Sequence, residues 1–162
     1  MELKDISFRE ITLQDKAWID AFIRKHWGDN YIVVHNEIYV PGELKGFIAI
    51  KSEIKVALIT YVIKGDKVEI VSLNSELENI GVGAHLIDLV KNEAKKCKCS
   101  IMWLITTNDN IKAIDFYKKR GFLLTGISKG AVDLSRKLKP GIPLFGENGI
   151  PIQDELVFQI NI

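Results

Sequence analysis

The spacing of apolar positions switches repeatedly between a period of two and a helical period along the chain. Residues 6–11 alternate and predict a short strand. Thr12-x-x-Asp15 has the layout of a capping box. Ala17, Trp18, Ala21, Phe22 and Trp27 follow at helical spacing up to Gly28. Residues 31–40 mix apolar and polar positions and close on Pro41-Gly42, a turn signal. Three strand-like runs follow at 46–51, 56–64 and 67–73, separated by Lys51-Ser52-Glu53 and Gly65-Asp66. Separators this short suit antiparallel hairpins. The period then lengthens, with Val82, Leu86, Leu89, Val90 and Ala94 forming a helical stripe. Residues 101–105 are nearly all apolar, the pattern of a strand covered on both faces. Residues 111–120 read as a helix stopped by Gly121, 122–127 as a strand and 131–138 as a short helix. Lys139-Pro140-Gly141-Ile142-Pro143 breaks that helix, and 156–162 alternates as a last strand. If that strand forms an edge, it invites pairing with a second copy, a homodimer. The succession predicts an α/β fold with a mixed sheet and flanking helices.

Composition narrows the class. The chain has 162 residues, with 47% hydrophobic and 27% charged, a globular balance. No repeat, low-complexity tract or long linker divides it, so one domain over 1–162 is expected. A formal net charge of +1 gives no global field to recruit nucleic acid or an anionic membrane. Cys97 and Cys99 are one residue apart, too close for an unstrained disulfide and too few for a zinc site. No apolar run reaches the roughly 20 residues of a membrane span, and Met1-Glu2-Leu3-Lys4-Asp5 lacks a signal-peptide layout. A cytoplasmic protein with free thiols is expected.

Two segments carry candidate chemistry. The first is the strand-to-helix turn Glu78-Asn79-Ile80-Gly81-Val82-Gly83-Ala84. A helix start exposes unpaired N–H groups and partial positive charge, and glycines let the backbone approach a phosphate. The same pattern also serves as a plain tight turn. It is not a Walker loop, since Ala84-His85 follows Gly83. Nor is it a dinucleotide fingerprint, since Leu86 stands where a third glycine belongs. The second segment is Asn110-x-x-Ala113-x-x-Phe116-Tyr117-x-x-x-Gly121-Phe122. Asn110, Ala113, Phe116 and Tyr117 share one helical face. Asn110 is either an N-cap or, with Asp109 capping, free for a ligand. Tyr117 is either a core tyrosine or a proton or hydrogen-bond donor to a leaving thiolate.

Taken together, Glu69-Ile70-x-Ser72-Leu73, the Gly81-Val82-Gly83-Ala84-x-Leu86 turn and the Asn110–Phe122 segment resemble the GNAT superfamily of acetyl-CoA-dependent N-acetyltransferases. The stretches 104–110 and 135–143 look like a bacterial subgroup of it. The resemblance covers about residues 6–128, with the helix, loop and strand of 129–162 appended. It implies a central parallel strand pair splayed at the acyl-CoA site behind antiparallel N-terminal strands. Backbone groups of Val71, Ser72 and Leu73 would run beside the pantetheine arm. N–H groups from Glu78, Asn79, Ile80, Gly81, Val82, Gly83 and Ala84 would hold the diphosphate. Asn110 would bond the pantetheine on the face shared with Ala113 and Phe116. Tyr117 would stand at the thioester sulfur as general acid, and Glu69 would be the general base, directly or through water. Without the resemblance, Glu69 also reads as a carboxylate that orients substrate or faces solvent. Acetyl-CoA would be co-substrate, with no metal needed.

Two departures stand out. Glu78 occupies a position where the family has Gln or Arg; its charge about 4 Å from a phosphate would cost roughly 4 kcal/mol unless offset by a cation such as Lys112 or Lys118. The 74–77 segment is short and lacks the common proline, leaving the oxyanion donor open between Ser72 and Leu73. The acceptor pocket is expected from the N-terminal half and the tail, with His26, Trp27, Tyr31, His35 and Tyr39 as candidates. The segment 146–149 with Asp154-Glu155 reads first as a solvated loop and otherwise as carboxylates for a cationic amine, and His85 either reaches phosphate or ribose or sits exposed on the helix. Two functions fit: acetyl transfer to an amine of a small molecule, amino acid or peptide, or a non-catalytic acyl-CoA-binding sensor or regulatory module.

Overall fold

The computed structural model describes residues 1–162. Nine strands and four helices follow one another as β1 (Ser7–Glu10), α1 (Lys16–Trp27), β2 (Ile32–Val34), β3 (Glu37–Tyr39), β4 (Lys45–Lys51), β5 (Ile54–Lys64) and β6 (Lys67–Ser75), then α2 (Val82–Lys96), β7 (Ile101–Thr107), α3 (Ile111–Lys119), β8 (Leu123–Ser128), α4 (Ala131–Leu138) and β9 (Glu155–Asn161). Seven strands form one sheet in the order β1-β4-β5-β6-β7-β9-β8, and β2-β3 form a separate hairpin. Every neighbouring pair is antiparallel except β6–β7, which is parallel and joined by the crossover helix α2. The mixed sheet is therefore the one the sequence predicts.

Each face of the sheet has its own apolar layer. On the back, Val82, Leu86, Ile87 and Val90 of α2 and Tyr117 of α3 pack on Ile59, Val68, Ile70, Met102 and Leu104. Burying those four α2 side chains contributes about 6–12 kcal/mol by transfer bookkeeping, an upper bound. On the front, Ile19, Phe22 and Ile23 of α1 pack on Ile48, Leu58 and Val71, with Ile32 and Tyr39 from the hairpin. The start of α1 is fixed by buried Asp15, which accepts from Arg9 at 2.7 Å, Lys55 at 2.8 Å and the Thr12 N–H at 2.8 Å. Its end is fixed by Lys139, whose Nζ donates to the carbonyls of Trp27 and Tyr31 at 2.9 and 2.8 Å.

Two expectations need correction. The last strand, β9, is not an edge: it lies between β7 and β8, paired on both sides. It therefore offers no free ladder to a second copy, and the edges are β1 and β8. The apolar run of β7 is not covered on both faces. Met102 and Leu104 are buried on the back, whereas Trp103 and Ile105 are half-exposed on the front, because α1 spreads over β4 and β5 and stops short of β7.

Candidate active site

The parallel ladder runs only from Lys67↔Ile101 to Ile70↔Leu104. β6 continues to Ser75, paired with β5, and β7 continues to Thr107, paired with β9. The sheet thus stays intact on both sides and opens along the middle. Thr60 pairs with Ser72 and Tyr61 with Ile70, which leaves Val71 without a partner. That is a β-bulge, which bends and twists a strand. It falls on the first residue beyond the last paired rung.

Behind the opening lies a groove of about 570 Å³ between the end of β6 and the starts of α2 and α3. Gly81, with φ 87°, turns the chain into α2; only a residue without Cβ adopts that conformation freely. The first intrahelical bond runs from the His85 N–H to the Gly81 carbonyl. The N–H groups of Val82, Gly83 and Ala84 have no partner within the helix. A Cβ at Gly83 would sit 3.0 Å from Phe116 Cζ, so the aromatic ring closes on the turn. Arg120 lies 3.7 Å over that ring, and its buried Nε has no partner. Glu78 is paired with Lys112 across the mouth of the groove at 2.6 Å, the cation its position requires.

The α3 side of the groove carries Asn110, Ala113, Phe116 and Tyr117. Asn110 Oδ1 accepts the Ala113 N–H at 3.2 Å, so it is the N-cap; its side-chain NH₂ stays uncommitted. Tyr117 is almost buried between Phe116 and Phe122 at 5.1 and 5.4 Å. Burial pushes its phenol above the ordinary value, and Arg120 pulls against that.

Glu69 sits in front of the opening, one rung before the ladder ends, opposite Trp103. It is buried, and both oxygens are held: Tyr39 Oη donates to one at 2.7 Å and His35 Nε2–H to the other at 2.8 Å. His35 sits at the tip of the β2–β3 hairpin, in a left-handed turn with Asn36 (φ 39° and 63°). Its backbone N–H donates to both carboxylate oxygens of Glu155 at 3.2 Å. Burial raises Glu155 above the usual carboxylate range, and the His35 N–H opposes this. Tyr39 is raised by burial and by its bond to Glu69. A pocket of about 270 Å³ adjoins Glu69, with Trp103, Val62 and Val157 as apolar walls.

Of the residues singled out from the sequence, Leu73, Glu78, Asn79, Gly81, Val82, Gly83, Ala84, Asn110, Ala113, Phe116 and Tyr117 share the groove. Ile80 packs on the back core. Val71 and Ser72 line the front of the parting strand: Val71 packs under α1, and the Ser72 hydroxyl meets Thr60. His35 and Tyr39 converge on Glu69; the other aromatic candidates do not. His26 packs on Phe22, Trp27 Nε1 donates to Asn74 Oδ1 at 2.8 Å, and Tyr31 lies beneath Lys139. His85 packs on Phe8 at 4.2 Å. Glu155 is buried beneath the hairpin tip instead of lying in a solvated loop. Trp103 and Arg120 carried no motif, although Trp103 is set opposite Glu69 by the parallel register.

The acetyltransferase (GNAT) family profile matches residues 2–122. The chain belongs to this family. It is 42% identical over 144 residues to YdhI of Bacillus subtilis strain 168, covering 88% of this chain and 90% of that protein. Among solved structures, its fold matches a Bacillus subtilis acetyltransferase in complex with CoA, with TM-score 0.65, 17% identity and 97% of each chain covered. It also matches a GNAT acetyltransferase of Elizabethkingia anophelis with acetyl-CoA bound, with TM-score 0.68, 18% identity and coverage of 98% and 99%.

Proposed function

We propose that this GNAT protein, acting as one domain over 1–162 in the cytoplasm, moves an acetyl group from acetyl-CoA to a primary amine by direct attack in a ternary complex. One observation carries this reading: a single opening between β6 and β7 has a groove with unpaired helix N–H groups behind it and a buried carboxylate in front. Two proteins of the same fold hold CoA or acetyl-CoA.

In this reading the diphosphate lies on the N–H groups at the start of α2. The pantetheine arm runs along Val71, Ser72 and Leu73 toward the opening, with the Asn110 NH₂ beside it. Glu69 takes a proton from the acceptor ammonium, and the neutral nitrogen attacks the thioester carbonyl. An N–H freed where β6 leaves the ladder steadies the oxyanion, an interaction commonly worth about 3 kcal/mol. The new C–N bond forms as the C–S bond breaks, and the nitrogen gives its second proton to water, so that with the thiolate protonated one proton is released overall. A thiol titrates near 8.5 and a phenol above 10, so the leaving thiolate is too weak a base to deprotonate Tyr117. Tyr117 therefore assists as a hydrogen-bond donor, and the thiolate takes its proton from solvent.

A panel of amines with thiol-release detection tests the reaction. Amine-dependent release of CoA supports it. A raised melting temperature with acetyl-CoA but no release with any amine would leave a non-catalytic sensor.

A further inference from the structure

Resting on that acyl-transfer reading, we propose that the acceptor is a small amino carboxylate with an apolar or aromatic side chain: an amine that brings its own anion. The pocket beside Glu69 encloses about 270 Å³, at the small end of ligand sites. Val62, Trp103 and Val157 give it an apolar body, and Lys64 and Lys67 stand at its rim.

The two lysines are the informative part. They are direct partners in the β5–β6 ladder, Lys64↔Lys67, one step of the alternation beyond Val62↔Glu69 on the same face. Like charges directly opposite on a sheet destabilise it. An acidic neighbour would relieve them, yet neither makes an ion pair. The nearest acid in sequence, Asp66 in the intervening turn, accepts instead from the Ser100 hydroxyl on its carboxylate. Lys64 Nζ leans over the ring of Tyr39 at 5.9 Å, the residue whose hydroxyl holds Glu69. An unrelieved cation pair at the rim of a pocket whose floor is a carboxylate is a dipolar site. It matches a molecule with the opposite polarity: amine toward Glu69 and carboxylate toward the lysines. A two-residue strand step is about 7 Å. An amine and a carboxylate on one carbon, with a hydrogen bond of about 2.8 Å at each end, span that distance. A polyamine would set its second cation against the lysines, which selects against it.

The test compares phenylalanine, phenylalanine amide and spermidine as acceptors at saturating acetyl-CoA, in the wild type and in the exposed double variant K64Q/K67Q. The expected result is a kcat/KM at least tenfold higher for phenylalanine than for its amide, with spermidine poorer still. The double variant should raise KM for phenylalanine about tenfold, more than it lowers kcat, and abolish the preference over the amide. Equal or better use of the amide or spermidine by the wild type, or an unchanged preference in the variant, overturns the proposal while leaving acyl transfer standing. If no amine releases thiol, acyl transfer fails and the pocket is read separately. Added to saturating CoA, N-acetylphenylalanine should raise the melting temperature above that with CoA alone in the wild type and not in K64Q/K67Q. No shift in the wild type overturns the proposal on that arm too.

Discussion

The groove behind the parted strands and the pocket in front of them are built in opposite ways. The groove comes from two consecutive strand-to-helix turns, residues 73–84 and 110–120. The groups proposed to hold the diphosphate are backbone N–H, and the side chains of α3 that line it come in helical register. The pocket is assembled from β5, β6, β7 and β9, with the hairpin tip closing on Glu69. The groove therefore depends on local geometry, whereas the pocket depends on tertiary register. A groove made of backbone is hard to change by substitution and suits a cofactor. A pocket made of side chains from distant segments changes with any one of them and suits an acceptor that varies.

Substitutions should separate the two halves. The largest effect is expected for Glu69→Gln. It should lower kcat/KM about a hundredfold or more, the size of a lost general base, while leaving the acetyl-CoA Kd within twofold by calorimetry. A comparable loss of acetyl-CoA affinity would break the division. Asp15→Asn acts on support and not on either site. Arg9 and Lys55 hold the Asp15 carboxylate far below its ordinary range. Its contribution is therefore present above the unfolded value of about 4 and is lost as the pH falls. The variant should lose about 2–3 kcal/mol at pH 7 by denaturant unfolding. It should also show a flatter fall in stability below about pH 4, and an unchanged slope would refute the sign. Tyr117→Phe should lower kcat about tenfold with the acetyl-CoA Kd unchanged, and equal turnover would remove Tyr117 from the reaction. The smallest effect is expected for Lys112→Ala, which leaves Glu78 unpaired at the groove mouth. Both groups are exposed, so acetyl-CoA binding should weaken only about threefold, and less at high salt. A loss in acceptor KM instead would place Lys112 on the wrong side.

The same contrast explains what could be read before the structure was known. The helix at Ala131–Leu138 and the turn into α2 were legible because capping and turn chemistry act over a few residues. The Asn110 cap was legible for the same reason, as one of two readings. The position of β9 between β7 and β8 was not legible, because alternation fixes a strand's faces and not its neighbours. The bulge at Val71 has no side-chain signature, since it belongs to the β5–β6 pairing and not to the alternation of β6 alone. His35 and Tyr39 sat in a run whose pattern showed a turn and nothing about its target. Their convergence on Glu69 depends on the hairpin folding back over the sheet, held by Glu155 from the far end of the chain.

The central claim is that cofactor and acceptor meet through one opening from opposite faces. A crystal structure with acetyl-CoA tests it most directly. The diphosphate should lie on the N–H groups of Val82, Gly83 and Ala84, and the thioester should pass between Val71 and Ile105 with Glu69 on the far side. A ligand seated on the front face, or a thioester ending outside the parted strands, would contradict the account.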